Sequence, residues 1–281
     1  MDVTAHLSDF TTAATDHSEG EAAGQLPLFD PRRPALRYRP LKAWRHFRKL
    51  VENKENTGEV FHIFESLPWK GLPAAAEAFL TSERGKAIMA SEAFLPAILD
   101  DHAALRRLPE GSLAQAYCDF MEREGLTAQG LVDEFDRFLS DRPDYRDQFA
   151  FYFDRIRDTH DLLHILTGYG RDALGEQCVL AFTYSQQPSL AHLFIGYAGG
   201  WEIRRTVNGN APVMRAIREG QRLGKACPRL AELSIRELLP LPLDEVRRKL
   251  NITPPRYYEK ALDIWRGQGI DPYAVLRPKM A

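Results

Sequence analysis

Two histidines and an aspartate stand together in His160-Asp161-Leu162-Leu163-His164, and eleven residues separate His164 from Glu176. On a helix, residues four apart lie almost above one another and residues three apart nearly so. His160 and His164 therefore share a face, with Asp161 beside His164. Two neutral imidazoles and two carboxylates balance the charge of one divalent cation. Singly, each group has an ordinary explanation: a hydrogen-bonded core histidine, or a carboxylate paired with Arg155 or Arg157. Together they do not, because burying all four without a cation costs several kcal/mol per uncompensated charge. Nitrogen and oxygen donors in this mix suit zinc, iron or manganese better than calcium. No cysteine lies in the motif, so a closed thiolate site is not expected. Histidines and carboxylates alone can keep a position open for water or substrate, as catalysis requires.

These residues need two helices. A long one is expected from Asp144 to Thr167, with Phe149, Tyr152, Phe153, Ile156, His160 and Leu163 in one apolar stripe. Gly168-Tyr169-Gly170 ends it, and Asp172 is placed to cap the next helix. A break this short makes the two helices antiparallel neighbours. His164 lies about one turn before it and Glu176 about one turn after, so the hairpin brings them to the same height.

The rest of the chain reads as helical as well. Leu41–Val51, Val60–Phe64, Leu72–Leu80, Glu83–Met89 and Phe94–Leu108 carry apolar residues at helical spacing, and Ser112 is a natural N-cap for the following segment. No run of alternating β-branched residues between hairpin turns occurs. The expectation is an all-α protein: a disordered tail over 1–34, rich in Thr, Ala, Asp and Gly, then one multi-helix domain over 35–281.

Composition narrows the class. The 281 residues are 44% hydrophobic and 27% charged, with a net charge of -2, which is globular and gives no case for nucleic acid. Cys118, Cys178 and Cys227 are far apart and form no CxxC pair, as in a reducing compartment. No signal peptide is visible, and no apolar run approaches the roughly 18 residues a membrane span needs. A soluble or peripheral protein is expected.

Three further segments have two readings each. Ser189–Arg204 is apolar along much of its length, and is either a core helix or the wall of an apolar cavity. In the second case Leu190, Leu193, Phe194 and Tyr197 would meet a lipid, with Gly196, Gly199 and Gly200 leaving room for it. The cluster Arg204, Arg205, Arg215, Arg218 and Arg222 is a solvated face, or a contact for anionic headgroups. Gly220–Ala226 looks like a phosphate loop, but it is one residue short, lacks the following Ser or Thr, and succeeds a helix and not a strand.

The stretch Arg155–His164 with Gly175-Glu176 resembles the signature of the coenzyme Q biosynthesis protein 4 family: HDxxH, eleven residues, then Glu. Leu108-Pro109-Glu110-Gly111-Ser112 with Tyr117 and Phe120-Met121 is similar to another block of that family, as are Ile235–Leu243 and Leu250–Pro255. The chain departs from the family at Leu180 and Ala181, where Lys and Trp are usual. The resemblance implies an all-helical fold and a divalent metal, zinc by preference, at His160, Asp161, His164 and Glu176. It also implies a carbon–carbon lyase of the ubiquinone pathway, acting oxidatively at C1 of a 4-hydroxy-3-methoxy-5-polyprenylbenzoate. Arg155 and Arg157 are then candidates for binding the substrate carboxylate. The alternative role is a lipid-binding scaffold that gathers the other ubiquinone biosynthesis proteins. Implied partners are a prenylated aromatic or isoprenoid lipid, those proteins, further copies of the chain, and a membrane surface. The expected location is the cytoplasmic side of a bacterial membrane, or the mitochondrial inner membrane in a eukaryote.

Overall fold

The computed structural model describes residues 26–52, 57–207 and 209–275, and among these it contains helices and no named strand. The first group is α1 (Pro40–Glu52), α2 (Thr57–Ser66), α3 (Leu72–Thr81), α4 (Glu83–Ser91), α5 (Leu95–Leu99) and α6 (His102–Leu105). The middle group is α7 (Leu113–Glu124), α8 (Ala128–Leu139), α9 (Gln148–Asp158), α10 (His160–Thr167), α11 (Ala173–Gln186) and α12 (Leu190–Thr206). The last is α13 (Val213–Ala226), α14 (Ile235–Leu238), α15 (Leu243–Lys249) and α16 (Arg256–Gly267). None of them is long and apolar enough to cross a membrane.

α11 is the central helix. Leu174, Cys178, Val179, Ala181 and Phe182 are all buried, so it has no solvent side to pattern against. α12 and α13 pack along it, and α16 closes over α13. The α11–α13 approach depends on two glycines. A Cβ at Gly220 would lie 2.5 Å from the Cys178 carbonyl oxygen, and one at Gly224 2.2 Å from that of Phe182. The glycines that imitate a phosphate loop are thus the seam where two helix backbones meet.

Capping follows the sequence closely. Ser112 accepts from the Gln115 N–H, and Asp172 accepts from those of Leu174 and Gly175. Asp147 caps α9 in the same way, through the Ala150 N–H.

Two expectations are corrected. The helix foreseen over Asp144–Thr167 is two helices, α9 and α10, separated at Thr159. The Thr159 hydroxyl donates to the Arg155 and Ile156 carbonyl oxygens, so a side chain occupies acceptors that end α9 and α10 starts afresh at His160. The last residues of the expected tail are also placed against the protein. Residues 26–34 dock on α9: the Pro27 and Leu28 carbonyls accept from the otherwise free N–H groups of Gln148 and Phe149. Arg33 pairs with the buried Asp147 at 2.6 Å, and Phe29 packs on Phe149. The remainder of the expected tail, 1–25, lies outside the described residues.

Candidate metal centre

α10 presents His160 and His164 on one face, with ring centroids 5.1 Å apart and the planes nearly perpendicular. Donor atoms of His160, Asp161 and His164 all lie within 4.8 Å of one another. Glu176 reaches them from the first turn of α11: its Oε2 is 3.6 Å from His164 Nε2 and 3.9 Å from His160 Nε2. Two donors about 2.1 Å from a tetrahedral ion stand roughly 3.4 Å apart, so the spacing suits one small dication.

The hairpin is held from several sides. A Cβ at Gly175 would sit 1.9 Å from the Gly170 carbonyl oxygen, so only glycine lets the connecting loop lie against the start of α11. The Tyr258 hydroxyl, from α16, donates to Asp172 and accepts from the Gly170 N–H. Asp172 in turn caps α11 one turn ahead of Glu176.

His164 carries the clearest sign of a ligand. Its side chain is fully buried, and the Phe120 ring lies against it at 5.7 Å. Nδ1 is 3.1 Å from the Tyr169 carbonyl oxygen, which can only accept, so Nδ1 bears the proton and Nε2 a lone pair. That buried Nε2 has no hydrogen-bond partner. An orphaned buried acceptor beside a carboxylate is suited to a metal, and the donor set fits a dication.

The charges agree. Burial opposes ionisation of both His164 and Glu176, yet their mutual attraction wins: it raises the imidazole above its ordinary value and lowers the carboxyl. Burial and the neighbouring His164 hold His160 below its ordinary value.

A cavity of about 2080 Å³ adjoins these groups. His160, Asp161 and Glu176 belong to its lining, and Leu50, Phe61, Phe64, Phe135, Phe138 and Ile195 supply apolar wall. The volume is well above the roughly 300–1,000 Å³ usual for small-molecule pockets.

The other foreseen residues are placed differently. α12 does meet the cavity, but through His192, Ile195, Gly199 and Glu202, with its N-cap Ser189 beside them. Leu190, Leu193, Phe194 and Tyr197 are not in its lining; Leu190 is exposed and the Tyr197 hydroxyl donates to Gln221. α12 is apolar on too many sides for spacing to choose the cavity face. Arg155 is turned away as well. It is buried against Glu92 at 2.7 Å and donates to the Ala231 and Leu233 carbonyls, so it ties α9 to a distant loop. Arg157 does reach the cavity wall, though Asp158 and Asp154 hold its guanidinium at 2.7 and 3.0 Å.

Three groups escaped the sequence reading. Arg171 lines the cavity with its Nε 3.8 Å from Glu176 Oε1. His192 is buried in the wall with Nδ1 unpartnered, and burial with the nearby His160 pulls it down to about 3. Gln177 also lines the cavity and has an unpartnered Oε1. Only Arg171, next to the cap Asp172, carried a local signal.

A sequence profile described as "Coenzyme Q (ubiquinone) biosynthesis protein Coq4" matches residues 51–256. The mitochondrial ubiquinone biosynthesis protein COQ4 homolog of Mus musculus is 28% identical over 155 residues, 55% of each chain. The COQ4 homolog 2 of Culex quinquefasciatus is 32% identical over 108 residues, 38% of this chain and 45% of the relative. The chain thus spans about half the length of these curated relatives. A solved protein of Nostoc punctiforme PCC 73102, assigned by name to ubiquinone biosynthesis, superposes with a TM-score of 0.55 at 22% identity. It covers 76% of this chain and 98% of its own, and shares the fold. The chain therefore belongs to the Coq4 family of coenzyme Q (ubiquinone) biosynthesis proteins.

Proposed function

We propose that, within ubiquinone biosynthesis, the chain removes the C1 carboxylate of a 4-hydroxy-3-methoxy-5-polyprenylbenzoate and that a hydroxyl takes its place. Water supplies the hydroxyl oxygen, carbon dioxide leaves, and the two electrons withdrawn from the substrate reduce dioxygen to hydrogen peroxide. His160, Asp161, His164 and Glu176 would hold a divalent cation, zinc by preference, with iron or manganese as alternatives. When bound, it supplies Lewis-acid polarisation of a carboxylate or phenolate oxygen.

The observation that carries this reading is the unpartnered His164 Nε2, buried opposite Glu176 and beside a large apolar cavity. Tyr169 fixes the tautomer of His164 through Nδ1. The apolar part of the wall suits a prenyl chain. Arg171, a cation in the wall near Glu176, would bind the substrate carboxylate, a role for which the resemblance offers Arg155 and Arg157.

The test is direct. Protein loaded with one metal at a time, supplied with prenylated hydroxybenzoate and dioxygen, releases carbon dioxide from C1. Glu176→Ala keeps its helical signal and stops turnover. Undiminished release from protein stripped of metal contradicts the mechanism. No release under any loading favours the scaffold role.

A further inference from the structure

We propose that the outer faces of α1 and α12 form a docking surface for an anionic lipid bilayer. This deepens the reading above, since it says how a membrane-dissolved substrate is reached, but it rests on its own observations.

The described surface leaves ten large hydrophobic side chains exposed, and six of them are Tyr38, Leu41, Trp44, Val51, Leu190 and Trp201. All six lie on the segment leading into and along α1, or on α12. Leu41 is 83% exposed and Trp44 54%. α1 buries Ala43 and Phe47 against the protein; Leu41 lies on the opposite side of the helix, and Trp44 stacks on the edge of the buried face, against Phe47 at 6.0 Å, with its outer side exposed. The Trp44 ring lies 6.2 Å from that of Phe194, which joins this face to the outer side of α12. Further along α12, Trp201 is 56% exposed beneath the Arg205 guanidinium, 4.8 Å from its ring.

The charge on this face opposes that of the whole chain. Net charge is -2, yet residues 36–51 contain six Lys or Arg and no Asp or Glu. Lys42 and Lys49 reach Glu65 and Glu59 only at 3.7 Å. Arg37, Arg39, Arg45 and Arg48 are exposed and meet no carboxylate among the described residues. Leu and Trp side chains interleaved with cations on one helix match the interface of an anionic bilayer, where rings and methyls enter the headgroup boundary and cations meet phosphates. A second copy of the chain fits less well: a two-fold interface would set this arginine-rich patch against itself, whereas interface cores are depleted of charge. The segment also lends Leu36, Phe47, Leu50 and Val51 to the cavity wall, so the docked face adjoins the cavity.

The experiment is co-sedimentation of the full chain with phosphatidylcholine vesicles, with and without phosphatidylglycerol, in the absence of any prenylated aromatic. Wild-type protein sediments with the anionic vesicles, and does so less as salt rises. Arg45→Glu/Arg48→Glu and Leu41→Ser/Trp44→Ser each lower the partition coefficient about tenfold or more, while keeping the wild-type helical signal and melting temperature. Equal binding by both variants, or none by the wild type, overturns the proposal. So does light scattering that shows a wild-type dimer split by Leu41→Ser/Trp44→Ser without vesicle binding. Because no turnover is read, failure of the decarboxylase reading leaves this result standing, and the reverse holds as well.

Discussion

His164 Nε2 and Glu176 Oε2 face each other at 3.6 Å across the turn between α10 and α11, too far for a hydrogen bond and well spaced to share an ion. α10 supplies three of the four groups and α11 the fourth, and the loop through Gly170 and Asp172 sets the distance between them. Properties of the protein that follow from its buried polar groups can be measured without any substrate.

Glu92 and Arg155 form an ion pair with both side chains essentially inaccessible, and Glu92 also accepts from the Ser234 hydroxyl and the Ile235 and Arg236 N–H groups. Removing one partner strands a buried charge, so Glu92→Gln is expected to lower unfolding free energy by about 3–5 kcal/mol, read by denaturant titration. Burial resists ionisation of Glu92, but Ser234 and Arg155 outweigh it and hold the carboxyl below its ordinary 4.5. A depressed carboxylate stabilises the fold above the unfolded value and loses that contribution as pH falls through the folded one. Wild-type stability should therefore drop below pH 4.5, and the drop should be smaller in Glu92→Gln.

His192 acts at higher pH. It is buried neutral against the Phe64 ring at 4.5 Å, and is pulled from 6.5 down to about 3. Between these values the unfolded chain binds a proton that the folded chain refuses, so stability falls as pH drops below 6.5. The loss is about 1.4 kcal/mol at roughly one unit below that value. His192→Leu should flatten the melting temperature over this window, as scanning calorimetry at a series of pH values would show.

Gly224 tests the α11–α13 seam. Gly224→Ala places a methyl against the Phe182 backbone, where helices must part. The expected loss is about 1–3 kcal/mol, while Gly267→Ala, with nothing within 4 Å of the new carbon, should cost nothing. Comparison of the two denaturant midpoints separates contact from helix propensity, which favours alanine at both sites.

Much of the centre was legible in the sequence, because its geometry is local: i,i+4 spacing, a short break and the Asp172 cap suffice to bring Glu176 to His164. Contacts between distant segments were not. The break at Thr159 is hidden because the apolar stripe runs on through it. The docking of residues 26–34 depends on Asp147, far along the chain. Arg155 is enclosed by Glu92 and the loop at Ala231, both too far along the chain for its neighbours to announce them. For α12 the reason is physical: with apolar residues on most sides, periodicity says that it is partly buried but not which face meets the cavity. Leu190 and Phe194 consequently fall on the outer side, where they help to form the face assigned above to lipid.

The central claim is that four side chains of one helical hairpin bind a dication. Elemental mass spectrometry of the chain purified without added metal, beside His164→Ala and Glu176→Ala prepared identically, tests it most directly. The account predicts about one transition-metal ion per wild-type chain and a loss of most of it in both variants, with helical content unchanged. Wild-type protein that takes up no metal even when supplied with zinc, iron or manganese, or variants that retain it fully, would contradict the account.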